Sequence, residues 1–398
     1  MNESLDNQEI QMFKKRPTRA EIDLGALRHN YLALQACAGT LVSVMPVIKA
    51  DAYGHGAVPV AHFLAEIGVP GFAVATVTEA QVLREAGIDE EILVLGALYE
   101  NDFAVIVGGG IVPVLWDEVS ARQLSNFVSE RGQTLPVQVK IDTGMGRAGV
   151  PAAAAAEFIA IVAKLPGLQL VGLLSHLAIA DSNQEWARRY TGKQAQAFVE
   201  VTDAAAGIVS SEELLTYHLA NSAGIVRYDL PGCSMARAGI ALYGAYPDPD
   251  LRSQVDLKPV MSVKTGIVLL KILQPGQSVS YGCTYTAHKE VKVALLPIGY
   301  ADGLNRALSN RGEFLVRGRR APVIGRVCMD WTMVDVTDIG NVAVDDEVVI
   351  LGSQGDAAIT ADDMAATLGT ISYEIFCSWS SRVRREYFNG SRGDCGKS

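Results

Sequence analysis

The chain has 398 residues, and at roughly 100–200 residues per domain that length implies about two or three domains, or one long barrel with a smaller companion. Lys and Arg total 34 against 44 for Asp and Glu, a net charge of −10, which argues against a protein that binds by neutralising a phosphate backbone, so nucleic acid is not an expected partner. Hydrophobic residues make up 49% and charged residues 20%, well outside the composition of a disordered chain.

The first residues, MNESLDNQEIQMFKKRPTRA, carry acidic groups where a secretory signal needs basic ones and have no apolar run of the required length. The uncharged run Phe103 to Trp116 is rich in glycine and short of the roughly 20 apolar residues of a spanning helix. The cysteines, at 37, 233, 283, 328, 377 and 395, lack the paired spacing of a zinc site or redox dithiol. These features predict a cytoplasmic protein with no membrane association and no metal.

Residues 1–13 read as a frayed terminus, and the segment ending in RAEIDL predicts a strand over about 18–24 that joins a later β domain. From residue 40 to about 245, short β-branched runs alternate with helical patterns, the mark of repeated βα units on a parallel sheet. The strand candidates are VSVMPVIK ending at Lys49, GFAVA near 73, ILVLG near 94, IVPVL near 113, PVQVKID ending at Asp142, LQLVGLLS ending at Ser175, LLTYHL ending at Leu219, and an eighth within 233–243. Eight strands with intervening helices predict a (β/α)8 TIM-like barrel over residues 14–247. The helix between Val150 and Leu165 has Pro151 in its first turn and Pro166-Gly167 at its close. Its run Ala152 to Ala156 supplies helix propensity and close packing.

Pro247-Asp248-Pro249-Asp250 forbids a continuing helix and marks a boundary. Residues 248–388 then show short alternating runs between Pro-Gly and Gly turns, which predict a mainly antiparallel β domain with one helix near Ala361 to Leu368. Residues 389–398 read as a second frayed end.

Chemistry is carried first by VIKADAYGHG, where an apolar run delivers Lys49 and Tyr53 follows in the turn. A lysine at a strand end ordinarily snorkels to water. A desolvated lysine amine, however, condenses with a carbonyl or with pyridoxal phosphate. Taken alone, Tyr281 is an aromatic with a satisfied hydroxyl, Arg237 a rim arginine in an ion pair, and His176 a satisfied polar residue. The stretch Asn221-Ser222-Ala223-Gly224 is an ordinary turn and cap. Cys283 and Cys328 have no histidine placed to activate them.

In order along the chain, VIKADAYGHG, KIDTGMGRAG, SHLA, HLANSAG, ARAGIALYG, SYGCTYTA, PIGYADG, GRVCMD and TISYE resemble the motifs of the alanine racemases, bacterial enzymes with a barrel and a C-terminal β domain. The resemblance covers residues 15–388 and implies pyridoxal 5'-phosphate as cofactor, bound covalently by Lys49. It implies that Lys49 serves one enantiomer and Tyr281, from the second subunit of a homodimer, the other, because proton removal and return on opposite faces need two groups. A tyrosine, with an ordinary pKa near 10, needs help to act as a base.

By the same resemblance Arg237 meets the pyridine nitrogen, with His176 hydrogen-bonded to it, and keeps that nitrogen unprotonated. Tyr53, Asn221, Ser222, Gly239, Ile240 and Tyr373 hold the cofactor, the phosphate falling to glycine-lined backbone amides and hydroxyls. Arg147 takes the substrate carboxylate with its planar fork, and Lys140, carbamylated in many relatives, orients it. Gly146 and Ala148 stand where relatives often have larger residues. Met329 and Asp330 approach the neighbouring subunit's substrate, and Tyr300 and Tyr373 line the entrance, favouring a side chain as small as that of alanine.

The implied role is supply of D-alanine for peptidoglycan. Racemases of serine or of basic amino acids share most of these motifs. A decarboxylase of the same fold would present an acidic partner to the pyridine nitrogen, and a cofactor-carrying homeostasis protein would resemble the barrel alone; Arg237, Tyr281 and the β domain point away from both.

Overall fold

The structure is a computed structural model that describes residues 16–209, 215–229 and 232–390. Two units divide them: one is Leu24–Lys258, and the other joins the residues before Leu24 to those from Pro259 onward. Arg19–Asp23 forms β1, and Leu24–Ala38 forms α1.

In the first unit the β-branched runs become short parallel strands, β2 (Ser43–Pro46), β3 (Gly71–Val74), β4 (Glu91–Val94), β5 (Val112–Leu115), β6 (Leu135–Asp142), β7 (Leu168–Leu174), β8 (Thr216–His218) and β9 (Met235–Ala238). Their order is β2-β9-β8-β7-β6-β5-β4-β3, and a parallel bridge between Val47 and Ala73 nearly closes the ring, giving the eight-stranded barrel among the described residues. β3, β5 and β9 are buried along their whole length, as expected of strands covered on one side by helices and on the other by the barrel's own filling.

The covering helices are α2 (Ala57–Glu66), α3 (Val77–Glu85), α4 (Phe103–Gly108), α5 (Glu118–Ser129), α6 (Ala152–Val162), α7 (Glu185–Ala206) and α8 (Ser222–Arg227). α3 begins with a capping box, the Thr76 hydroxyl accepting from the Glu79 amide and the Glu79 carboxylate from the Thr76 amide. Pro151 sits at the N-cap of α6 rather than inside its first turn. The barrel unit also continues past the Pro247–Pro249 break. Asp248 caps a short 3-10 turn over Pro249–Ser253, and buried Asn30 of α1 donates to the carbonyls of Leu242 and Lys258 while accepting from the Lys258 amide.

The second unit contains β10 (Met261–Gly266), β11 (Leu269–Leu273), β12 (Val291–Leu296), β13 (Glu313–Val316), β14 (Arg319–Pro322), β15 (Thr332–Asp335), β16 (Glu347–Gln354), β17 (Ala357–Ile359) and β18 (Arg384–Phe388). One sheet runs β14-β13-β16-β10-β1-β18 with β17 on β16, and a smaller one runs β11-β12-β15. β1 is antiparallel to β10 and parallel to β18; the other pairings of these two sheets are antiparallel. Two helices follow, α9 (Ala361–Leu368) and α10 (Ser372–Cys377). No helix among the described residues is long and apolar enough to cross a membrane.

Candidate active site

The sequence puts Lys49 at the end of a strand, but β2 stops at Pro46 and Lys49 opens a turn of unusual hand. Ala50, Asp51, Ala52 and Tyr53 have φ of 51, 54, 53 and 53° with ψ of 50, 48, 49 and 44°, a left-handed coil that costs non-glycine residues roughly 1–2 kcal/mol each. The surroundings hold it there. Glu79 Oε1 accepts from the Ala50 amide at 2.7 Å, Asp51 Oδ1 accepts from the Ala57 amide at 2.7 Å, and His55 Nδ1 lies 3.0 and 2.9 Å from the carbonyls of Ala52 and Tyr53. The buried Tyr53 ring packs 4.8 Å from that of Tyr243.

Tyr53, Ser222 and Gly239 converge. Ser222 Oγ accepts from the amides of Gly239 and Ala241 at 2.9 and 3.3 Å, just where Ile240–Tyr243 begins a 3-10 turn. A Cβ built at Gly239 would stand 2.9 Å from Tyr53 Oη and 3.7 Å from Ser222 Oγ, so glycine lets the tyrosine hydroxyl approach this turn closely. Asn221 supports it from behind, capping α8 through the Gly224 amide and donating to the Leu177 carbonyl. Backbone and hydroxyl groups around a glycine suit a phosphate.

Arg237 on β9 is 3% exposed. Its Nη1 lies 2.8 Å from His218 Nδ1 and donates to the His218 carbonyl at 3.0 Å; its Nη2 donates to the Ser175 carbonyl at 2.5 Å and lies 3.4 Å from His176 Nδ1. Burial brings the guanidinium down to about 10, still protonated at neutral pH. Burial, then the adjacent Arg237 charge, pushes His218 well below its ordinary value and His176 down to about 3, so both imidazoles are neutral. The sequence names His176 as the partner of Arg237; the closer contact belongs to His218, to which the sequence reading gave no role. The sequence signal is its place near the end of the strand candidate before the one that carries Arg237; in the fold it pairs directly with Met235.

Lys140 on β6 is buried, and burial followed by the charges of Arg147, Arg237 and Lys49 lowers its amine to about 8. Its Nζ lies 5.7 Å from the centre of the Trp116 ring. Arg147 is exposed, on a loop shaped by Asp142 Oδ1, which accepts from the amides of Gly144 and Gly146 at 2.9 and 3.1 Å. Tyr190 of α7 donates to the Gly144 carbonyl at 2.6 Å and ties that loop down. Lys49, Lys140, Arg147 and Arg237 thus form one positively charged group around the neutral His176 in the barrel unit.

The remaining candidates belong to the β unit, where they are largely exposed. Tyr281 opens a short 3-10 turn, preceded by Ser280 at φ 67°. The amides of Tyr300 and Ala301 donate to the carbonyls of Cys328 and Met329 at 2.9 and 3.0 Å, so the Tyr300 turn and the Met329 loop are laced together. Asp330 accepts from Arg382 at 2.6 Å, and this ion pair engages the carboxylate assigned to substrate from sequence. Tyr373 is on α10. Cys328 Sγ lies 3.3 Å from Ser280 Oγ and Cys283 is exposed.

Residues 22–247 match the family model described as "Alanine racemase, N-terminal domain", and residues 260–387 the one described as "Alanine racemase, C-terminal domain". The alanine racemase of Geobacter sulfurreducens is 44% identical over 377 residues, 94% of this chain and 98% of that protein. That of Halothermothrix orenii is 44% identical, with coverage of 94% and 97%. Among solved structures, the alanine racemase of Clostridium difficile 630 superposes with a TM-score of 0.87 at 36% identity, covering 95% of this chain and 97% of that one. The enzyme from D-cycloserine-producing Streptomyces lavendulae gives 0.88 at 34% identity, covering 95% and 98%. The chain therefore belongs to the alanine racemase family and is an amino-acid racemase.

Proposed function

We propose that the protein interconverts L- and D-alanine on pyridoxal 5'-phosphate, in a cytoplasmic homodimer whose two subunits share each site, and so supplies D-alanine for peptidoglycan. The observation that carries the reading is Arg237, a buried guanidinium held through both terminal nitrogens beside a neutral histidine where a related decarboxylase would present an acid. The close approach of Tyr53 Oη and Ser222 Oγ to Gly239 suits the cofactor's phosphate, with Tyr53, Ser222, the Ile240 amide and Tyr373 as its holders and Asn221 as support.

When bound, the cofactor acidifies the α-hydrogen of an amino acid. Lys49 Nζ moves that proton on one side of the substrate, and Tyr281 Oη of a second subunit moves it on the other. Arg237 would meet the pyridine nitrogen and, as a donor that does not give up its proton, would leave that nitrogen unprotonated.

Arg147 binds the substrate carboxylate. Lys140, with an amine near 8, has a neutral fraction able to add carbon dioxide. The new N–C bond releases one proton and leaves a carbamate anion, which attracts Arg147 instead of repelling it. Met329, Tyr300 and Tyr373 narrow the space for the side chain to about a methyl group, and Asp330 acts through its ion pair with Arg382.

Incubation with single enantiomers of alanine, serine and lysine, followed by chiral chromatography, tests the reading. Alanine from either side should converge on an equal mixture, since enantiomers have equal free energy, and should do so faster than the others. Release of carbon dioxide, or no loss of chirality, would overturn it.

A further inference from the structure

Gln138 has no part in that chemistry, yet it is 1% exposed on β6, two residues before Lys140 and on the same face of the strand. A register shift between Val137 and Gln138 sets Gln138 opposite Gly172 of β7. A Cβ at Gly172 would lie 3.0 Å from the Gln138 amide carbon and 2.3 Å from Thr216 Oγ1. The absent side chain leaves a passage across β7, and through it Gln138 reaches β8, its Oε1 2.6 Å from His218 Nε2. On the opposite edge of the same ring, Arg237 Nη1 lies 2.8 Å from Nδ1. The chain of contacts Gln138–His218–Arg237 therefore crosses the barrel interior from β6 to β9.

Guanidinium has five donors and no acceptor, so His218 Nδ1 must be the acceptor in its contact with Arg237. A neutral imidazole with Nδ1 free carries its proton on Nε2, and that proton needs an acceptor in a site closed to water. We propose that Gln138 is a positioning residue which, by accepting the His218 Nε2 proton through an uncharged amide, fixes the one imidazole tautomer able to receive and aim Arg237. Charge neutrality at 138 matters as much as acceptance. A carboxylate there would favour the doubly protonated ring, make Nδ1 a donor, and bring two donors and two cations face to face. Gln138 thus governs the arginine without touching the cofactor or the substrate. The inference rests on the role given above to Arg237, but its first readout does not.

Long-range proton–nitrogen NMR of the full-length protein labelled with 15N-histidine reads the tautomer of His218 directly. The wild type should carry a single proton, on Nε2, near neutral pH; a proton on Nδ1 instead overturns the proposal. Gln138→Glu should show both nitrogens protonated and lower kcat by roughly 10-fold to 100-fold with KM little changed; a singly protonated His218 with full kcat overturns it. Gln138→Met, neutral and of similar size, guards against misfolding of the charged variant: it should give a mixture of tautomers and an intermediate kcat, and an undisturbed Nε2 tautomer overturns the proposal. Absence of racemisation in a wild type whose His218 is protonated on Nε2 would defeat the functional reading while leaving the tautomer lock in place.

Discussion

Arg237 and Tyr281 stand at opposite extremes, one 3% and the other 70% exposed. The arginine is gripped by His218, Ser175 and His176 within its own unit, whereas the tyrosine opens a short turn of the β unit, which also exposes Met329, Trp331 and Ile371. The barrel residues are set in place by folding alone. Exposed apolar side chains such as those of the β unit are what a partner surface can cover. In the proposed homodimer that surface is the second subunit's barrel, so folding would complete one half of the chemistry and assembly the other.

The sharpest way to break this comparison is to lesion each half separately. Lys49→Ala and Tyr281→Phe should each lower activity by roughly 10²-fold to 10⁴-fold, and Lys49→Ala should also remove the visible absorption of the bound cofactor. Mixed and allowed to exchange subunits, the two variants should regain activity, because one site of the hybrid then carries both lesions and the other carries none. A hybrid as dead as its parents would place both groups in one subunit.

A smaller effect tests the buried half. His176 has a folded value of about 3, below an unfolded value of about 6.5, so the unfolded chain binds a proton in acid that the folded one refuses. The contribution of His176 to stability should be flat above about pH 6.5 and fall as the pH drops from there toward 3; His218 acts in the same direction. Urea midpoints at pH 7.5 and 5 should differ less in His176→Gln than in the wild type, and an identical difference would show that the imidazole is not shielded.

The smallest effect concerns the support of the Lys49 turn. Thr76→Ala removes the hydroxyl half of a capping box whose other member, Glu79, also receives the Ala50 amide. It should cost about 1 kcal/mol in urea unfolding, with little change in KM; no change in midpoint would mean that Glu79 alone fixes the helix start.

Much of the barrel was legible because parallel strands buried on both faces must be written as continuous β-branched runs. GFAVA, ILVLG and IVPVL correspond to β3, β4 and β5 with little ambiguity. Residues between the proline pair and Lys258 were harder, since their attachment depends on Asn30, more than two hundred positions away. The left-handed turn was hidden for a different reason: Ala50, Asp51, Ala52 and Tyr53 are ordinary one by one, and their conformation is imposed by Glu79 and by the turn's own contacts. His218 carries no mark of its own within HLANSAG; its role depends on Arg237 one strand over, a contact that only the folded register creates.

That left-handed turn also sets a limit on how far this protein can be hardened. Glycine at Ala50 or Ala52 would relax the backbone and raise resistance to heat, but it would also loosen the short segment that presents the Lys49 amine. Durability and aim are opposed at this one point of the chain, and selection for the first should erode the second.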